Sequence, residues 1–547
     1  MKELLTYLGS FGRYQAMLLV LVSLPALLSG PYGLAFTFVG YMPQKTRCCV
    51  PEIDGVGEMN CSNAEFDKVY DLNLSSMFVP GHWCLRCAYP ANQNITQCTK
   101  KTATKCDNHA VYDKSLGYRS FAVEQDLGCD RDWMHQVMWD AHVLGMMIGA
   151  SVGSSLSDRF GRKPIALVSM IIAAVSGFAS AFATNYYAYF ILKIVIGIGG
   201  YSAYLTMYIV LMELVSGVAR TIVGIAFAYT FTVGALYLGF CAYFIRDWQW
   251  TLVAAYAPAV LCPAYYWLLP ESIRWLIINN RPEQARKLVL KAARVNRVEI
   301  PESVLQRELQ PESATELNGR HYSVIALFRV RSLAIDTTII WFTWFASAMS
   351  YYGLAQNTTD LPGDPFFTFA MANLAEFPGL FAVIPLTEYW GRKPTMVLTL
   401  GLGGLSCILS GALEGVDSQA TAVLMLALFG KCCIAAAFAL VYNYSAEMFP
   451  TVVRQSGCGF GSVCARLGAL LAPQIRLLGF YTDEKYPIII YGSVACAAAL
   501  LDLWLPETKG REIPDTLEEA QLNIEWTIDE NKDDNNDDGL QDAIEQK

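Results

Sequence analysis

Apolar runs of about 20 residues alternate with polar connections along most of the chain, at roughly 16–39, 137–156, 165–184, 187–212, 221–243 and 249–269, then 333–353, 366–386, 395–413, 420–442, 456–475 and 486–505. A helix rising about 1.5 Å per residue crosses about 30 Å of hydrocarbon in such a length. The pattern predicts twelve membrane-spanning helices. The first run holds Pro25 and Gly30-Pro31, and Pro31 is where it is expected to kink or unwind.

Two polar intervals are long. Residues 41–135 form one, and residues 271–331, with 11 Lys or Arg from Glu271 to Arg331, form the other. The chain therefore divides into an N-terminal segment 1–15, a six-helix half 16–270 that includes the loop 41–135, a linker 271–331 with short amphipathic helices, a second six-helix half 332–505, and a tail 506–547.

Charged landmarks repeat between the halves. Gly161-Arg162-Lys163, preceded by Asp158-Arg159-Phe160, returns as Gly391-Arg392-Lys393 after Glu388-Tyr389-Trp390. Glu213 and Arg220 return as Glu447 and Arg454, and Leu269-Pro270-Glu271-Ser272 returns as Leu505-Pro506-Glu507-Thr508. The offsets are 230, 234 and 236. Such near-constant spacing implies two parallel copies of one helical unit. Two half-bodies rocking about a central site are the simplest machine this predicts.

Composition agrees with a bilayer setting. The 547 residues are 54% hydrophobic and only 16% charged, with a mean hydropathy of +0.32. Soluble chains carry about 25% charge. The formal net charge is −9, but residues 511–547 alone hold 13 acidic and 3 basic residues. The remainder is close to neutral, so no basic field suggests nucleic acid, and the tail reads as a solvated acidic segment. Basic residues gather in the connections on the side of residue 1, which sets both termini in the cytoplasm.

The loop 41–135 carries Cys48, Cys49, Cys61, Cys84, Cys87, Cys98, Cys106 and Cys129, half of the chain's 16 cysteines. That density predicts a disulfide-stapled cap in an oxidising compartment, with the pairing open. Cys84-x-x-Cys87 lacks the second pair a zinc site would need. Sequons at Asn60, Asn73 and Asn94 in this loop, and at Asn357 in a later connection, mark the same side as extracellular.

No metal triad, nucleophile elbow or phosphate loop is present, so the chain is not expected to be an enzyme and no cofactor is implied. The candidate chemistry is instead a few charges and aromatics inside the runs. Glu376 and Arg466 lie near mid-run, where a lipid-facing charge is heavily penalised, so both must face the interior. They form either a structural ion pair or a ligand contact. Trp344 and Tyr351, seven apart, share a helix face suited to a cationic group. Tyr201, Tyr204 and Tyr208 form another aromatic stripe. At the inner face Asp158, Arg159, Arg162, Glu213, Arg220, Glu388, Arg392, Glu447 and Arg454 are candidates for a gating network.

Together these motifs identify a family resemblance. Phe11-Gly12-Arg13-Tyr14-Gln15, the cysteine-rich first loop, Asp158-Arg159-Phe160-Gly161-Arg162-Lys163, Pro270-Glu271-Ser272-Ile273-Arg274-Trp275-Leu276, Ala446-Glu447-Met448-Phe449-Pro450-Thr451 and Pro506-Glu507-Thr508-Lys509-Gly510 resemble the organic cation, carnitine and organic anion transporters of the major facilitator superfamily. The likeness spans about residues 10–510, with Ile273 where proline is usual. It implies an all-α, twelve-helix fold of two six-helix halves in pseudo-twofold arrangement. It also implies alternating-access transport of small organic cations or zwitterions, such as carnitine-like or amine-containing metabolites, at the plasma membrane. Trp344, Tyr351 and Glu376 resemble the substrate-contacting aromatics and acid of that family. Arg466 stands where cation carriers have aspartate and where carnitine and anion carriers have arginine. An organic anion transporter or exchanger is therefore the alternative; a channel or a non-transporting receptor fits the repeated motifs less well. The expected partners are a small organic ion and the lipid bilayer, with no obligate protein partner, and the coupling ion, Na⁺ or H⁺, is left open.

Overall fold

The computed structural model describes residues 2–43, strand segments within 46–105, and residues 110–510 apart from 216–217, 310–326, 329–330, 360–362, 415–418, 451–452 and 484. Twelve long helical elements form its body. In the first half they are α1 (Arg13–Val39), α2 (Asp132–Phe160), α3 (Arg162–Ser180), α4 (Tyr186–Met212), α5 (Val218–Ile245) and α6 (Trp248–Leu268). The second half holds α7 (Arg331–Gln356), α8 (Pro365–Tyr389), α9 (Arg392–Leu413), α10 (Ala420–Met448), α11 (Arg454–Tyr481) and α12 (Lys485–Asp502). Ten of the helices are long and apolar enough to cross a membrane. The other two, α2 and α7, have 29 and 26 residues and a more polar composition, and both pack among the rest.

Proline shapes two helices in the same way. Pro31 lacks the N–H that would reach the Leu27 carbonyl, and Gly30 N bonds Leu27 O at 3.3 Å instead. The break in α1 therefore falls at Leu27–Leu28, a turn before the proline, and a second falls at Ala35. In α8 Pro378 likewise removes the donor for Leu374, and the helix is interrupted at Ala375, so that Glu376 opens the second segment. A carboxylate in a first helical turn is favoured by the exposed N–H groups there.

Close backbone approach holds the broken α1 against α5. A Cβ on Gly30 would stand 2.5 Å from Ala235 N, and one on Gly234 would collide with the Leu27 carbonyl. Small residues at such crossings let helices associate where the hydrophobic effect contributes little.

The loop between α1 and α2 is represented by two small antiparallel sheets, Thr46–Cys48 with Ala110–Tyr112, and Phe78–Val79, His82–Arg86 and Thr104–Lys105 in series. A Cys84–Cys129 disulfide ties them to the start of α2, and Cys48 is also disulfide-bonded. The sequons Asn60, Asn73 and Asn94 lie outside the described residues. Asn357 sits half-buried in a short 3₁₀ turn after α7.

At the other end, three short helices after α6, Ile273–Ile278, Pro282–Asn296 and Glu302–Glu308, pack through Leu276, Ala285, Val289 and Leu305 onto the first core. The N-terminal helix Lys2–Leu8 joins them, with Asn296 accepting from Tyr14 N at 2.7 Å and donating to Leu8 O at 3.0 Å. Each half has its own apolar core, and Phe366 and Phe369 of α8 cross over to pack into the first half's core at the capped end.

Candidate functional site

The repeated charged residues assemble as two equivalent clamps, one in each half. Gly161 and Gly391 end α2 and α8 with φ of +109° and +101°, a backbone open mainly to glycine. The turn exposes the first N–H groups of the next helix. Glu271 accepts from Arg162 N at 2.8 Å and Lys163 N at 3.2 Å, while Glu507 accepts from Arg392 N at 2.9 Å and Lys393 N at 3.1 Å. A Cβ at Gly161 would lie 2.6 Å from the Glu271 carboxylate, so glycine also makes room for this cap.

The remaining repeats close around the same point. Arg162 pairs with Asp158 at 2.7 Å and Glu213 at 3.6 Å, and Ser272 donates to Glu213. In the second half Arg392 pairs with Glu447 at 2.9 Å and Glu388 at 3.8 Å, and Thr508 donates to Glu447 at 2.7 Å. Burial pushes the Glu213 carboxyl up, against the pull of Ser272 and Arg162. Each clamp joins elements of a single half. Arg159 is exposed over the Phe160 ring, Arg454 donates to Phe449 O at 3.1 Å, and the Arg220 side chain lies outside the described residues.

Glu376 and Arg466 form two separate interior poles. Glu376, 2% exposed, lies 3.3 Å from Lys431 Nζ and accepts from Tyr351 at 3.0 Å and from Thr232 at 2.9 Å. Four helices, α5, α7, α8 and α10, meet at this carboxylate. Arg466, 5% exposed, donates to the Ser462 carbonyl at 3.0 Å and hydroxyl at 2.6 Å, and to the Tyr201 hydroxyl across the seam. Its guanidinium carbon stands 4.6 Å from the Tyr201 ring centroid, and Tyr442 and Tyr352 are close by. Its Nε has no hydrogen-bond partner, and among the described residues no carboxylate lies within ion-pair distance. Of the two readings of these charges, the structural ion pair exists, but its cation is Lys431.

An aromatic chain connects the poles. Tyr351 stacks on Phe438 at 5.5 Å, Phe438 meets Tyr442 at 5.8 Å, and Tyr442 meets Trp344 at 4.3 Å. Trp344 is packed against Gly461 of α11, whereas Tyr351 points its hydroxyl at Glu376. The two thus share a helix face but serve different poles. Tyr201 and Tyr204 approach from α4, and Tyr204 and Tyr208 pack on Phe227. Thr232, Ser462 and Tyr442 had no signal in the sequence, because hydroxyls are common in apolar runs and only helix rotation selects those that face inward. Lys193, fully buried in α4, donates to Tyr32 O at 3.0 Å in the broken first helix.

The seam between halves is also bridged at the capped end. Phe38 contacts Phe366 at 5.4 Å and Phe369 at 4.8 Å, Arg246 lies 4.2 Å over Phe366, and Gln474 donates to Asp140 at 2.8 Å. Midway, Tyr229 donates to Phe377 O at 2.9 Å.

Comparison with known proteins accords with this architecture. Residues 92–520 match the family model described as "Sugar (and other) transporter". The chain is 32% identical over 536 residues to the organic cation transporter protein of Drosophila melanogaster, covering 95% of this chain and 94% of that one. It is 31% identical over 531 residues to the human organic cation/carnitine transporter 2, with 94% and 93% covered, and 32% identical to solute carrier family 22 member 6-B of Xenopus laevis, with 95% and 94% covered. In fold it is similar to the proton:xylose symporter of the major facilitator superfamily, with a TM-score of 0.60 at 17% identity, covering 94% of this chain and 99% of the symporter. With two six-helix halves, a clamp in each and a charged aromatic centre between them, the chain belongs to the sugar (and other) transporter family, in the organic cation and carnitine transporter branch of the major facilitator superfamily.

Proposed function

We propose that this carrier moves small organic ions that bear a carboxylate, zwitterions and anions ahead of simple amines, by alternating access at the plasma membrane. One observation carries the choice of substrate. Glu376 is already matched by Lys431 at 3.3 Å, whereas Arg466 is buried without an acidic partner and with Nε unbonded. The charges at these two poles therefore sum to one positive, and a carboxylate accepting from the guanidinium would complete both its charge and its hydrogen bonding. The Tyr351–Phe438 stack beside Glu376 would receive the cationic end of a zwitterion.

The bias of Lys and Arg toward the connections at the clamp end supports an orientation with that end and both termini in the cytoplasm and the disulfide-bonded sheets outside. On that orientation the outer side of the seam is the bridged one. The clamps serve as stiffeners of each half, so that rocking occurs between two rigid bodies. No nucleic acid or obligate protein partner enters this reading.

Uptake of a labelled panel of matched amines, zwitterions and carboxylates into vesicles containing the purified chain tests it. Carboxylate-bearing members are expected to enter and to compete with one another. Uptake confined to simple amines would overturn the substrate assignment.

A further inference from the structure

The second half contains a buried acid that neither the clamp nor the central poles use. Asp502, the last residue of α12, is 0% exposed. Its Oδ1 accepts from Thr343 Oγ1 at 2.6 Å, and its Oδ2 has no partner. Three buried or half-buried cations of this half are engaged elsewhere, Arg392 with Glu447, Lys431 with Glu376 and Arg466 with Tyr201.

The titratable groups around it bring no compensating charge. From α7 comes Asp336, also buried and two turns from Thr343; from α10 come Tyr444 and Glu447; beyond α12 stands Glu507. The element α9 contributes Cys407 and, in its first turn, Arg392, whose guanidinium pairs with Glu447, and Lys393, whose backbone N–H bonds Glu507; α11 contributes Arg454 at its start, donating to Phe449 O. An ionised carboxylate with one hydroxyl donor and no cation is strongly disfavoured at such burial, and the group escapes that penalty by taking up a proton.

Two further observations set this acid apart from scaffolding. At the repeat offset of 236, the first half has Tyr266, 62% exposed, so the fold itself does not call for an acid at this position. Thr343 also precedes Trp344, which packs on Tyr442 beside Arg466. A change at Asp502 is therefore one residue from the aromatic chain of the central site.

We propose that Asp502 is a proton-binding site of the transport cycle. It holds a proton in the arrangement described, and when the cytoplasmic ends of α7 and α12 become hydrated, its O–H bond passes the proton to water and leaves the carboxylate. The proton travels with a carboxylate-bearing substrate, so that a monoanion crosses without net charge and a zwitterion with one positive charge. This rests on the transport reading above.

The test uses the full chain in proteoliposomes with the voltage clamped at zero, labelled carnitine and labelled benzoate as probes, and infrared spectra of the same samples. With one coupled proton, an inward gradient of one pH unit supports up to about tenfold accumulation. Asp502→Asn retains the bond from Thr343 and is expected to keep counterflow exchange while losing that accumulation. It should also lose a protonated-carboxyl band present in the unsubstituted protein at neutral pH. Undiminished gradient-driven accumulation in Asp502→Asn overturns the proposal, as does absence of the band, or its loss in Asp336→Asn instead. Should neither probe exchange in the unsubstituted protein, the substrate reading fails separately, and the band alone decides on Asp502.

Discussion

Replacing Arg466 with alanine is expected to weaken carboxylates and zwitterions by about tenfold to a hundredfold while leaving simple amines nearly unchanged. A charge-assisted hydrogen bond is worth about 1.5–3 kcal/mol, and each 1.4 kcal/mol is about a factor of ten in affinity. The guanidinium has an unbonded Nε to offer, and among the described residues no carboxylate pairs with it. Arg466→Lys supplies the control, since it keeps the charge but loses the planar fork. Competition constants for matched ligands, normalised to surface protein, read the effect. Equal losses across all three ligand classes would mean that Arg466 holds the halves together through Tyr201 and does not read the substrate.

The second large effect concerns Lys431. Substitution by methionine leaves the Glu376 carboxylate buried with only the Tyr351 and Thr232 hydroxyls, and breaking a buried pair on one side costs about 3–5 kcal/mol. Folded, monodisperse protein is expected to fall sharply. Adding Glu376→Gln removes the stranded charge and should restore most of the yield. If single and double variants are equally poor, Lys431 contributes through packing and the pair is not the reason for its burial.

The contrast between these residues explains what the sequence made legible. Charges inside apolar runs stand out because the bilayer tolerates so few, so Glu376, Arg466 and the repeated clamp residues were all visible. The clamp's partners were implied by the matching offsets of Gly161, Glu213 and Glu271 with Gly391, Glu447 and Glu507. Which charge meets which across the interior depends on helix rotation, and the alternation of apolar residues barely encodes it in helices apolar on every side. Hence Lys431 as the partner of Glu376, and Tyr201 as that of Arg466, emerge only in three dimensions. The break in α1 was foreseen from Pro31, but proline acts on the carbonyl four residues earlier, so it falls at Leu27–Leu28.

Each of the two central poles reaches across the seam by one hydrogen bond, Glu376 accepting from Thr232 and Arg466 donating to Tyr201. Those two bonds act as a toll on the unloaded carrier: swinging the halves apart strips a donor or acceptor from a buried charge, and a bound ligand can replace what is lost. The return stroke without cargo should therefore be slower than the loaded one, making the protein a better exchanger than a net importer. Vesicles preloaded with unlabelled substrate should take up label several times faster than unloaded ones, and equal rates would show that the seam bonds do not govern the cycle.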